Sequence, residues 1–283
     1  MTKILIIGDQ HGQIPNVHFK DFDFIMCPGD FCSDKLRVHM FKAYKWNLKY
    51  PKNIKYWWEI IGKFKAKKEV QKSVKDGRKL LEFLNKLGKP VYVLPGNWDW
   101  ADKGHYPWKY LQTNFYKQNI KGLKNIKDCH MKIHKMGDYS VVGYGICSAP
   151  EYPQDEKTKA RYDNKQLLKK KKEYLKTKKK LEELFKKSKK PIIFFSHNVP
   201  FNTKLDKITN KESPMYGKHF GSVIARELIE KYQPVFCEAG HMHEHYAKDK
   251  IGRTVCINSG FGKNANVLVE LEGNQVLSVK FNK

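Results

Sequence analysis

Five short motifs carry the side chains in this sequence that could hold metal ions. They are Gly8-Asp9-Gln10-His11-Gly12, Gly29-Asp30, Gly96-Asn97-Trp98-Asp99, Ser196-His197-Asn198 and Gly240-His241-Met242-His243. Asp, Asn and His offer oxygen and nitrogen donors that suit borderline divalent ions such as Mn, Fe or Zn, and the absence of Cys from the set argues against a structural zinc. Two ions about 3.5–4 Å apart need a shared carboxylate and clamp the attacking and leaving oxygens of a phosphoryl group. Asp30 is the natural bridge. Taken singly, each of these residues reads as a turn residue or a satisfied core histidine. Five such motifs, each placed just after an apolar run, form a pattern that chance rarely produces.

Those runs cover residues 4–7, 22–27, 91–94, 141–144, 192–195, 235–237 and 255–257. Short β-branched runs of this kind are strands buried on both faces, and open α/β sheets gather their ligands at strand ends. Between them lie helical patterns. Leu80, Leu81, Leu84 and Leu87 repeat at helical spacing before Gly88, and Ser222 reads as the N-cap of a helix through Ile224, Leu228 and Ile229 to Tyr232. At the C-terminus, residues 267–271 and 276–279 join across Glu272-Gly273-Asn274 as a β-hairpin. The glycines of the motifs allow the tight turns that bring the side chains together. An α/β layered fold with a mixed sheet follows.

In this order the motifs resemble the calcineurin-like metallophosphoesterase superfamily, whose pattern is D-x-H, G-D, G-N-H-[DE], a lone H and G-H-x-H. The resemblance spans Gly8 to His243. It is nearest to the prokaryotic, largely archaeal, phosphoesterases related to cyclic-nucleotide diesterases, through residues 196–206, 226–234 and 240–244. It implies a four-layer αββα sandwich of two mixed sheets flanked by helices. It also implies a first metal on Asp9, His11 and His243, a second on Asn97, His197 and His241, and Asp30 between them. Asp30, Asn97 and His197 would be catalytic, with Mn favoured over Fe, Zn or Ni, and a metal-bridging hydroxide would attack phosphorus. One departure matters. The family's leaving-group histidine is Trp98 here, and an indole cannot act as a general acid. That favours phosphodiesters over phosphomonoesters and phosphoproteins. Trp98, Trp100, Tyr106 and Trp108 form either a base-stacking wall or a local apolar cluster. His105 is a candidate replacement acid, and Thr203 and Asp206 match a loop near the family's site.

The 283 residues carry 55 Lys or Arg against 29 Asp or Glu, a net charge of +26, yet only five of the basic residues are Arg. Specific phosphate and base readers favour the Arg fork, so the excess of Lys reads as compositional habit. Much of it lies in residues 42–80 and 155–190, each net +10. These read as Lys-rich helical insertions in a single domain of residues 1–283. In the second, Leu167, Tyr174 and Leu181 repeat every seven residues, flanked by Leu168, Leu175 and Phe185. The partner expected is a small phosphodiester or nucleotide substrate, with a nuclease gripping nucleic acid through these segments as the alternative. A non-catalytic scaffold is the other class, and the complete ligand set argues against it. Six cysteines without a CxxC pair, and no long apolar run, point to reduced thiols in a cytoplasmic protein with no membrane partner.

Overall fold

The computed structural model describes residues 1–101, 107–213 and 215–282. Along the chain run β1 (Thr2–Ile7), β2 (Phe24–Cys27), α1 (Arg37–Lys49), α2 (Trp57–Ile61), α3 (Lys63–Lys86), β3 (Val91–Val93), α4 (Phe115–Ile120), β4 (Ile126–Asp128), β5 (Ile133–Met136) and β6 (Tyr139–Tyr144). There follow α5 (Glu156–Lys159), α6 (Asn164–Lys187), β7 (Ile192–Asn198), α7 (Val223–Tyr232), β8 (Phe236–Gly240), β9 (Tyr246–Ile251), β10 (Thr254–Ser259), β11 (Asn266–Glu272) and β12 (Gln275–Phe281). One sheet has the order β12-β11-β1-β2-β3-β4 and the other β5-β6-β7-β8-β10-β9. In the first, β1 to β4 are parallel and β11 and β12 add antiparallel at one side; in the second, β6, β7, β8 and β10 are parallel and β5 and β9 add antiparallel at the two ends.

Period-two alternation along the strands sends successive residues to opposite sheet faces. On β1, Ile4 and Ile6 meet Ile193, Phe195, Phe236 and Ile257 of the other sheet, while Leu5 and Ile7 meet Leu80, Leu81 and Leu84 of α3. On the far side, Phe194 and Cys237 pack against Leu181 and Phe185 of α6 and Ile224 and Leu228 of α7. The layers therefore run helix, sheet, sheet, helix, an α/β sandwich of two mixed sheets. Because both faces of each central strand are covered, those strands read as unbroken apolar runs. The three strands without such a run, β4, β5 and β9, are all edges, where one side of the ladder is solvated. Among the described residues no helix is long and apolar enough to cross a membrane, and all six cysteines are buried thiols.

The basic segments are helical, and they hold to the body unevenly. Residues 42–80 run without a break into the crossover between parallel β2 and β3, since α3 carries both Lys-rich turns and the buried Leu80 and Leu81. With α1 and α2 it covers a second apolar cluster of Trp57, Trp58, Ala66, Val70, Trp98, Trp100 and Leu111. On α6, Leu181 and Phe185 are buried and Tyr174 packs beside them, whereas Leu168 and Leu175 are exposed. The apolar stripe expected there is narrower than its sequence, because positions 168 and 175 turn away from the body. Replacing Leu181 by Ala should cost about 2–5 kcal/mol of unfolding free energy by denaturant titration. Leu168→Ala should stay within about 0.5 kcal/mol.

Candidate metal centre

Asp9 and His11 follow β1, Asp30 follows β2, Asn97 follows β3, His197 ends β7, and His241 and His243 follow β8. Parallel pairing within each sheet puts these strand ends on one edge, and packing of the two sheets closes them around a common point. Metal-ligating atoms of Asp9, His11, Asp30 and His243 all lie within 4.8 Å of one another, and so do those of Asp30, His197 and His241. Asp30 is common to both groups. Its Oδ2 lies 3.5 Å from His11 Nε2 and 3.7 Å from His197 Nε2. His243 Nε2 is 3.3 Å from Asp9 Oδ2 and 3.2 Å from His11 Nε2. The Asn97 amide oxygen joins the second group, 3.1 Å from His197 Nε2.

Backbone contacts aim these side chains. His197 Nδ1–H donates to Pro28 O at 2.8 Å, which leaves Nε2 as its free donor atom. His241 Nε2–H donates to Ser148 O at 3.0 Å, which leaves Nδ1. The Asp30 carboxylate is divided in the same way: Oδ1 accepts the Trp98 backbone N–H at 2.8 Å, and Oδ2 faces the two imidazoles. The chain pays for this aim with conformational strain, since His11, Asp30 and His241 have φ of 47°, 54° and 67°, in the left-handed region. Steric room is equally limited. A Cβ at Gly96 would collide with Asp30 Oδ1, and one at Gly240 with Asp9 Oδ1.

Asp99 is the clamp of the site. Its carboxylate accepts the backbone N–H groups of Asp30, Phe31 and Gly96, each at 2.8 Å, and of Cys32 at 3.0 Å. This ties the loop after β2 to the loop after β3. Burial pushes the Asp99 carboxyl up to about 6 against the pull of those four donors.

The electrostatics fit cations. Burial lowers His11 to about 4 and His241 to about 3, and lowers His197 as well, so at neutral pH these imidazoles keep their lone pairs. Burial, reinforced by Asp9 and Asp99, raises the Asp30 carboxyl well above its ordinary value. Burial would raise Asp9 too, but the His243 hydrogen bond and the surrounding imidazoles hold it below. Neither Asp9 nor Asp30 has a Lys or Arg partner among the described residues, and Asp9 Oδ1 is buried with no hydrogen-bond donor. Glu238 lies nearby with Oε1 accepting from Ser259 Oγ at 2.8 Å, and burial raises its carboxyl well above its ordinary value. Converging lone pairs and buried carboxylates without a counter-ion are the donor set that a divalent ion satisfies.

Other expected site residues take different roles, and Trp98 borders the Asp/His cluster, its ring edge-on to His11 at 6.3 Å between centroids. The Trp98 indole is turned into the apolar cluster beneath α1–α3, only 9% exposed, and Trp100 joins it there, so neither forms a stacking wall. Trp108 packs against the same cluster. His105 and Tyr106 lie outside the described residues. Asp206, expected at the substrate, is fully buried and accepts from the backbone of Asn202, Thr203 and Gly221 and from His219 Nδ1. Thr203 Oγ1 donates to Pro200 O. Both residues shape their loop from within, because every polar atom they could offer a ligand is already committed. Conversely, Phe261 stands against His243 with ring centroids 4.5 Å apart and planes at 14°. It follows β10 in Ser259-Gly260-Phe261-Gly262, the same strand-end pattern as the metal motifs, but a phenyl is not a ligand type and gave no chemical signal.

Comparison with known proteins agrees with this geometry. An uncharacterized protein of Methanocaldococcus jannaschii is 38% identical over 71 residues, a match covering 24% of this chain and 31% of that relative, so the chain spans under a third of its length. One crystal structure is similar with a TM-score of 0.61 at 15% identity, covering 99% of both chains. The crystal structure of TT1561 of Thermus thermophilus is similar with a TM-score of 0.53 at 13% identity, covering 100% of this chain and 99% of that one. At such identities these likenesses speak for the sandwich fold alone. The family model for calcineurin-like phosphoesterases matches residues 2–245, and with that match across the strands, loops and Asp/His cluster described above, the chain belongs to the calcineurin-like phosphoesterase family.

Proposed function

We propose that the protein is a dimetal hydrolase of phosphodiester bonds, with monoesters as poorer substrates. The observation that carries this reading is the Asp30 carboxylate, whose Oδ1 is held by the backbone while Oδ2 faces histidines of both donor groups. Asp9, His11 and His243 would hold one ion, Asn97, His197 and His241 the other, and Asp30 would be shared. Mn suits this hard-to-borderline set of oxygen and imidazole donors. Bound there, a pair of divalent ions supplies Lewis acidity at the phosphoryl oxygens and acidifies the attacking water.

The chain's own part is positional. Asp99 keeps Asp30 and Asn97 in register, and the carbonyls of Pro28 and Ser148 hold two imidazoles in the tautomer that points a lone pair inward. Preorganised donors cost no rearrangement when charge develops on phosphorus. The diester preference rests on Trp98, whose indole lies in an apolar cluster and whose N–H is far too weak an acid to protonate the departing oxygen. Esters with a stabilised leaving group need that proton least.

Wild-type protein should hydrolyse bis(p-nitrophenyl) phosphate with Mn, and Asp30→Ala, which removes a ligand itself, should reduce the rate by at least the roughly 10–100-fold typical of losing a ligand's outer support. No hydrolysis by wild type with any of Mn, Ni, Co or Zn defeats the reading. Trp98→His should raise turnover of alkyl monoesters about ten-fold or more, because a positioned general acid contributes typically 10²–10⁴-fold. Unchanged alkyl rates would sink the proton-donor argument. Mn at a hundred times its Kd should stabilise the fold by about 2.7 kcal/mol in thermal unfolding, reversed by chelator and absent in Asp30→Ala.

A further inference from the structure

Among the described residues, Phe261 is an exposed aromatic ring that packs directly on the metal centre. It is 44% exposed, whereas Trp98 and Trp100 are buried. One face of the phenyl stacks on His243, and its centroid lies 5.3 Å from that of His11. The backbone on either side is clamped to the first metal motif. Asp9 N–H donates to Gly260 O and Gly262 N–H to Asp9 O, both at 2.9 Å. Gln10 Nε2 donates to Gly262 O at 3.0 Å, a third tie on the same turn. At Gly262, with φ +98°, an added Cβ would meet no atom within 4 Å beyond its chain neighbours, so the turn stands clear of the body at that position. An aromatic ring is thus held by a tied turn beside two candidate metal ligands, with part of its surface exposed.

We propose that Phe261 is the wall of a binding subsite for a planar aromatic group of the substrate, a nucleobase or an aryl leaving group. The proposal rests on the phosphoesterase reading above and narrows its substrate class. A phosphate held at the Asp30 cluster places whatever is esterified to it within a nucleoside's length of a ring that already touches two imidazoles of that cluster. A phenyl face attracts any base through stacking without reading its identity. Holding His243 alone would not require the exposed side. Among the described residues, His197 and His241 are instead oriented by backbone carbonyls, and the ring contact given for them is with each other.

The test is calorimetric binding of AMP and of ribose 5-phosphate to the Mn-loaded full-length protein. Wild type should bind AMP about ten-fold more tightly, the scale of one base–aromatic stack. Phe261→Ala should bring the ratio near one, and Phe261→Trp should keep it. A ratio near one in wild type overturns the proposal, without any variant being needed. A Phe261→Ala protein that weakens both ligands equally also overturns it, since that is the signature of a residue that only holds His243. Turnover of bis(p-nitrophenyl) phosphate by wild type is read separately. A ratio lost in Phe261→Ala without wild-type turnover supports the subsite and removes the hydrolytic reading, while turnover with a wild-type ratio near one does the reverse.

Discussion

A carboxylate without a counter-ion, buried among imidazoles, is costly in any protein interior, and Asp30 is placed in that position deliberately. Burial and two neighbouring carboxylates raise its pKa, and among the described residues its close side-chain partners are histidines that burial keeps neutral. The surrounding structure is arranged to hold this unfavourable group. Asp99 gathers four N–H groups to fix the two loops, three residues accept left-handed backbone, and glycines leave space that no side chain could share. A divalent ion held there would turn the penalty into binding energy. The strain and the metal site are therefore one feature seen from two sides.

That arrangement needs two sheets. Asp9, His11, Asp30 and Asn97 come from the ends of β1, β2 and β3, while His197, His241 and His243 come from β7 and β8 of the other sheet. The apolar layer between the sheets, from Ile4 and Ile6 to Phe195 and Phe236, sets how closely these ends approach. Core packing and site geometry are coupled for this reason, because interiors at near-crystalline density transmit small displacements to whatever they support.

The net charge of +26 plays little part at the centre. Residues 42–80 and 155–190 hold +20 of it and contain none of the seven proposed ligands. In the fold these segments are helices with solvated Lys faces. Lys178 pairs with Glu227, and Lys231 pairs with Glu182 across α6 and α7, partly exposed pairs that solvent screens. What holds α6 is Leu181 and Phe185, and what holds α3 is Leu80, Leu81 and Leu84.

Much of the fold and of the candidate site was legible in the residues themselves. Strands buried on both faces must be apolar along their length, so β1, β3, β7, β8 and β10 show as runs, and Asp, Asn and His at the end of a run stand out against that background. Ser222 declares a helix start because its hydroxyl accepts from the Ala225 N–H, a local bond that local sequence can encode. Edge strands such as β9 gave no such signal, because a half-solvated ladder tolerates Lys and Asp. The roles of Asp99, Trp98, Asp206 and Phe261 were decided only by tertiary structure. An Asp that collects backbone donors from two loops, or a Trp turned into a helical cap, has the same composition and spacing as one facing a substrate. Which way each side chain points depends on contacts with residues distant in sequence, and periodicity carries no information about those.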